Sequence, residues 1–173
     1  MYLLVAAALV ALDQLTKVWA ANTFPLGGPG VPIGLGFHFT YTRNIGAAFG
    51  ILQHGPTTTL LLGVLSAAVS LALLIYLLRR APTLSRLQLS AFTLILAGAV
   101  GNMIDRFYLG YVRDFIHFHL PNFNFPVFNV ADMCVVIGAG LLILASLTEG
   151  SHEGQPRAAP PDELGGTRPE ADR

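Results

Sequence analysis

The sequence predicts an all-α membrane protein, a four-helix transmembrane bundle that carries a small β-sheet outside the bilayer. Three observations predict it. Of 173 residues, 53% are hydrophobic and only 12% charged, against about a quarter charged in an average soluble domain. A helix needs about 20 mostly apolar residues to cross a hydrocarbon core of ~30 Å, and segments of that length occur at Tyr2 to Ala21, Thr59 to Leu78, Leu87 to Arg106 and Phe128 to Leu147. Between the first two of these, Phe37-His38-Phe39-Thr40-Tyr41-Thr42 alternates aromatic with polar residues, the period of a strand.

The first segment has no basic start and carries Asp13 and Lys17 in its second half, so it reads as a retained helix and not as a cleaved leader. Asp13 and Lys17 are four apart and share a helix face, where they neutralise one another as a structural pair. Residues 22 to 36 are rich in Gly and Pro and form a loop. In the strand that follows, Phe37, Phe39 and Tyr41 form one aromatic face, either an interfacial belt or a wall for substrate. The second segment has no charge. Small residues recur at four-residue spacing, as in Gly63 with Ala67 and Ala97 with Gly101, which lets helix backbones approach closely in lipid.

Orientation follows from Arg79, Arg80 and Arg86, which cluster between the second and third segments and put that loop in the cytoplasm. Both termini are then cytoplasmic, and residues 22 to 56 and 107 to 127 lie outside. Arg43, Arg106 and Arg113 fall on the outer side against the charge rule, which calls for a functional reason. Residues 149 to 173 hold six of the ten acids among Gly, Pro and Arg, too little apolar surface to offset the entropy of ordering. They read as a disordered cytoplasmic tail to an integral membrane domain of residues 1 to 148.

Several function classes are excluded. Formal net charge is zero and no basic run is present, so nucleic acid is not a partner. The one cysteine, Cys134, sits in an apolar run and offers neither a disulfide framework nor a thiol metal site. His117 and His119 alternate along an extended segment without a third ligand at recognisable spacing, so no metal is assigned. There is no G-x-S-x-G and no phosphate loop, and Ser66, Ser70, Ser90 and Ser146 stand singly in helices.

What remains is carboxylates. Residues 1 to 148 contain four acids, Asp13, Asp105, Asp114 and Asp132, and no glutamate. An ionised carboxylate in the hydrocarbon core costs at least ~2.5 kcal/mol, so intramembrane acids imply function. Asn102, Asp105 and Arg106 are three and four apart at the end of the third segment and share a face; it either looks into a site or anchors the helix end with Asp105 and Arg106 as an interfacial pair. Asn129 and Asp132 have N-cap and N3 spacing at the start of the fourth, with Phe128 as a staple. Capping does not explain Asp114, a loop acid between Val112-Arg113 and Phe115. Two carboxylates sharing one proton can activate water against an amide, the chemistry of an aspartyl peptidase. The helix N-terminus favours Asp132 as the ionised member and leaves Asp114 to carry the proton.

Five segments, Asp13-Gln14-Leu15-Thr16-Lys17, Asn44-Ile45-Gly46-Ala47-Ala48-Phe49, Gly101-Asn102-Met103-Ile104-Asp105-Arg106, Val112-Arg113-Asp114-Phe115 and Phe128-Asn129-Val130-Ala131-Asp132, resemble the ordered motifs of lipoprotein signal peptidases, also called signal peptidase II. The resemblance covers residues 1 to 148, and Ala97 departs from it where the family commonly has glycine. It implies a multi-pass enzyme of the bacterial cell membrane that cleaves prolipoproteins before a diacylglyceryl-modified cysteine, needs no cofactor and is inhibited by globomycin. It further implies catalysis by Asp114 and Asp132, binding or orientation by Asn44, Asn102, Arg106 and Asn129, support from Asp105, and an interfacial helix after the sheet within residues 37 to 56. The alternative is a proton or cation pathway through the membrane aspartates, against which the absence of internal repeats argues.

Overall fold

The computed structural model describes residues 1–46 and 56–149. Among the described residues, four helices are long and apolar enough to cross a membrane: α1 (Tyr2–Thr23), α2 (Pro56–Arg80), α3 (Arg86–Leu109) and α4 (Val130–Glu149). Strands β1 (Val31–Gly34) and β2 (Phe37–Asn44) follow α1, and β3 (Val112–Leu120) and β4 (Phe123–Asn124) lie between α3 and α4. The fold expected from the sequence is present as a bundle with one antiparallel sheet in the order β1-β2-β3-β4. Of the segment 37 to 56 expected to hold the interfacial helix, residues 47–55 lie outside the described residues, as does the expected tail beyond Glu149, which itself ends α4.

The helix ends follow local chemistry. At the start of α3, Ser85 accepts from the Gln88 backbone N–H at 3.2 Å while the Gln88 side chain accepts from the Ser85 backbone N–H at 3.3 Å, a reciprocal capping box. Gly110 ends α3 with φ 75°, a left-handed turn that glycine adopts without a Cβ penalty. α4 begins at Val130, two residues later than the hydrophobic segment does, because Asn129 is held outside the helix as its cap.

The bundle is centred on α3, which packs on α1, α2 and α4, with α4 its most extensive partner. In lipid, van der Waals fit replaces the hydrophobic effect as the force between helices, so small residues at the contacts matter most. A Cβ on Gly98 would strike the Ala131 backbone carbonyl and lie 2.7 Å from Val135 Cγ2, and one on Gly138 would lie 2.8 Å from the Ala91 carbonyl oxygen. Gly63 lies against Arg106 and Phe107, and Gly101 against Asp13 and Ala131. Apolar residues such as Leu4, Leu61, Val136 and Ile143 are exposed on the outside of the bundle, the surface that lipid covers. Because a backbone carbonyl cannot rotate aside, Gly98→Ala should push α3 and α4 apart. We expect a loss of about 1–3 kcal/mol, the usual cost of overpacking, read as a lower unfolding temperature in detergent.

One sequence expectation is corrected in the sheet. β2 pairs Phe39 with Ile116 of β3 but Thr42 with Asp114, so three steps on β2 oppose two on β3, a bulge that reverses which side each later residue faces. The aromatic face therefore stops at Phe39. Trp19 of α1 packs edge-on against Phe24 and Phe39 with centroids 5.2 Å apart in both pairs and against Phe115 of β3 at 6.2 Å. Tyr41 and Thr40 are both buried at the bulge. The aromatic side chains thus fasten the sheet to the end of α1.

Candidate active site

β3 and the first turn of α4 bring two carboxylates to one place. Asp114 is the third residue of β3, and the bulge-shifted register sets it opposite Thr42. Asn44, two residues further along β2, is then its diagonal neighbour on the same face. Asn44 Nδ2 donates to Asp114 Oδ2 at 3.0 Å, and Asn44 Oδ1 accepts from the Gly46 backbone N–H at 3.0 Å.

Asn129 joins the strand to the helix. Its Oδ1 accepts from the Asp132 backbone N–H at 2.9 Å, and Asp132 Oδ2 accepts from the Asn129 backbone N–H at 3.2 Å, so the spacing read as a cap does form one. Asn129 has a second role that capping does not require. Its Nδ2 donates to Asp114 Oδ1 at 2.6 Å and lies 3.2 Å from Asn102 Oδ1. Asn102 in turn donates from Nδ2 to Asp132 Oδ1 at 2.7 Å. Two asparagines, from α3 and the α4 cap, therefore connect Asp114 and Asp132.

Asp114 is 2% exposed. Burial raises its pKa to about 7, the negative charge of Asp132 pushes the same way, and the hydrogen bonds from Asn44 and Asn129 oppose both. A carboxyl in this range holds its proton near neutral pH and can release it, the property a general acid needs. Arg106, at the end of α3, presents a buried Nε without a hydrogen-bond partner among the described residues.

Asp105, which helical spacing groups with Asn102 and Arg106, also pairs with Arg113 of β3 and lies 3.7 Å from Lys17. Asp105 Oδ2 accepts from the Arg113 backbone N–H at 2.9 Å and from Nε at 3.1 Å, and Oδ1 accepts from the same guanidinium at 2.6 Å. It thus clamps the start of β3, one residue before Asp114. Asp105 is fully buried.

Asp13 and Lys17 pair at 2.8 Å as their spacing predicts, yet they reach further than a local pair. Asp13 Oδ1 accepts from the Ala131 backbone N–H at 2.8 Å, so α1 caps the first turn of α4. Lys17 Nζ donates to Asn102 Oδ1 at 2.9 Å. Sequence reasoning also missed Gln14, which donates to the Gly101 carbonyl at 3.0 Å and accepts from Arg113 at 2.9 Å. Its signal was faint, a lone glutamine one residue from Asp13 in an apolar helix.

The histidines stand apart. His38 and His117 face one another across β2 and β3, and His117 Nε2 is 2.6 Å from Asn124 Oδ1. Among the described residues, no group of three or more His, Cys, Asp or Glu has a metal-holding arrangement.

Fold and site together define a multi-pass membrane protein with a linked carboxylate pair where the sheet meets the bundle. The family described as Signal peptidase (SPase) II matches residues 5–148. A lipoprotein signal peptidase of Trichormus variabilis is 51% identical over 146 residues, covering 82% of this chain and 87% of that one. One of Actinobacillus succinogenes is 42% identical, covering 88% and 93%. A solved bacterial membrane enzyme, determined by the in meso method at 2.3 Å, superposes with a TM-score of 0.77 at 32% identity, covering 91% of this chain and 94% of that one. The chain belongs to the signal peptidase II family.

Proposed function

We propose that this protein is an aspartic endopeptidase that removes signal peptides from diacylglyceryl-modified prolipoproteins, cutting just before the lipidated cysteine. The observation that carries the aspartic mechanism is Asn129, whose side chain binds Asp114 while its own cap is made with Asp132. Neither interaction would need the other if the acids served only structure.

Asp132 is the ionised member, because it lies in the first turn of α4, where the helix dipole favours an anion. It takes a proton from water as the water attacks the scissile carbonyl. Asp114, protonated, donates to the carbonyl oxygen, and the roles then exchange so that the amine leaves. Asn44, Asn102 and Asn129 hold the two carboxyls in register, and Arg106 binds a carbonyl oxygen of the peptide or of its acyl esters.

The basic residues support an outward-facing site with both termini in the cytoplasm of a bacterial cell. Arg79 and Arg80 end α2 and Arg86 begins α3, and Asp105 lies 19 residues further along α3, or roughly 28 Å at 1.5 Å per residue. A lipidated cysteine, anchored by its acyl chains, keeps the scissile bond at that outer interface.

The test offers purified protein in detergent a diacylglyceryl-modified prolipoprotein and follows release of the signal peptide by gel shift. Cleavage is expected, with inhibition by globomycin. With substrate saturating, kcat should fall as pH rises through about 7, where Asp114 gives up its proton, and also at low pH, where the pair takes up a second one. A kcat that climbs steadily from pH 6 to 9 would remove Asp114 as the acid. Proton or cation flux in proteoliposomes that depends on both aspartates, without cleavage, would replace the peptidase reading altogether.

A further inference from the structure

Lys17 is 0% exposed, and three groups surround its ammonium: Asp13 Oδ2 at 2.8 Å, Asn102 Oδ1 at 2.9 Å and Asp105 Oδ2 at 3.7 Å. An ammonium carries three donors, and the two contacts within hydrogen-bond distance here are Asp13 and Asn102. The second of these goes to the amide that holds Asp132, and its direction has a consequence. An ammonium only donates, so Asn102 must turn its oxygen toward Lys17. The Nδ2 of Asn129, 3.2 Å from the same oxygen, makes the same demand. The amide nitrogen of Asn102 is thereby forced toward Asp132 Oδ1, 2.7 Å away, and that oxygen must be an acceptor. A flipped Asn102 would set its NH2 against an ammonium and turn its oxygen on a carboxylate.

We propose that Lys17 is a positioning residue for the reaction: by fixing which way the Asn102 side chain points, it holds Asp132 as the proton-accepting member of the pair. This rests on the reading of Asp114 and Asp132 as the catalytic pair. The order of donation runs Lys17 to Asn102 to Asp132. α1 also acts on α4 through the backbone, since Asp13 caps Ala131, one residue before Asp132. The charged groups around the lysine are Asp13 of α1, Asp105 of α3 with Arg113 of β3 behind it, and Asp132 of α4 beyond Asn102. Arg106 of α3 is a second cation near Asp132 and Asp114, and Lys17 is the one that reaches Asp132 through Asn102.

The experiment uses full-length protein in detergent and the lipidated substrate. Lys17→Met is made together with Asp13→Asn, so that neither charge is stranded and residue 13 keeps an oxygen for the Ala131 N–H. For a variant that melts cooperatively, kcat is expected to fall at least about tenfold, a modest share of what acid–base catalysis supplies. KM should stay within about twofold, since no substrate contact is lost. The acid limb of the kcat profile should move to higher pH, because a cation favouring the negative charge on the pair is gone. Lys17→Arg, still only a donor, should keep most of kcat, and Lys17→Gln, whose amide can present either oxygen or nitrogen, should lose it.

A wild-type kcat and pH profile in the folded double variant would overturn the proposal, as would an effect confined to KM. Equal activity of Lys17→Arg and Lys17→Gln would do the same, and it decides the matter if the double variant does not fold. Retained cleavage by Asp114→Asn and Asp132→Asn would instead overturn the catalytic reading underneath, so the two failures are separable.

Discussion

Asp114→Asn is expected to lower kcat by about a thousandfold or more, the upper part of the range for a lost general acid, and to leave the protein folded. Asparagine matches aspartate in shape but cannot pass a proton between water and peptide. Its structural cost is small. Asp114 accepts from Asn44 on one oxygen and Asn129 on the other, so an amide there sets one NH2 against another and forfeits one hydrogen bond, about 1 kcal/mol. Asp132→Asn should behave alike, with the Asn129 cap retained through its remaining oxygen. The measurement is cleavage of lipidated substrate alongside a melting curve of each variant. Cleavage at the wild-type rate by either variant would eliminate the pair, and loss of cleavage with loss of cooperative melting would mean that the acids serve folding.

The sequence made some of this site legible because scarcity of charge is itself a signal in a membrane chain. With four acids before residue 149, each one had to be accounted for, and Asn129 with Asp132 sat at capping distance along one helix. Spacing within a helix predicted the Asp13–Lys17 pair for the same reason: both partners lie on one element of known period. What spacing could not reach were contacts between elements. Asp105 belongs by period with Asn102, yet the turn at Gly110 brings Arg113 back beside it. Alternation in β2 predicted Tyr41 on the face of Phe39 until the bulge, which depends on the pairing with β3, shifted the register. The reach of Asp13 to Ala131 spans 118 residues, a separation at which a single sequence has no period to read.

Asp105→Ala should be the most damaging change to stability outside the pair. Arg113 donates to Asp105 from its backbone N–H and its guanidinium, and Lys17 stands 3.7 Å away, so the substitution strands one cation and deprives a second of part of its field. Removing one partner of a buried ion pair costs about 3–5 kcal/mol, far above the net worth of the pair itself, because the remaining charge has no water to return to. The expected result is a lower melting temperature in detergent and a shrunken folded fraction after expression. Asp105→Asn, which keeps an oxygen for the Arg113 backbone N–H, should lose distinctly less. Equal melting of Asp105→Ala and wild type would mean that Arg113 finds another acceptor, and the clamp ahead of Asp114 would then have to be assigned to Gln14, the remaining oxygen within its reach at 2.9 Å.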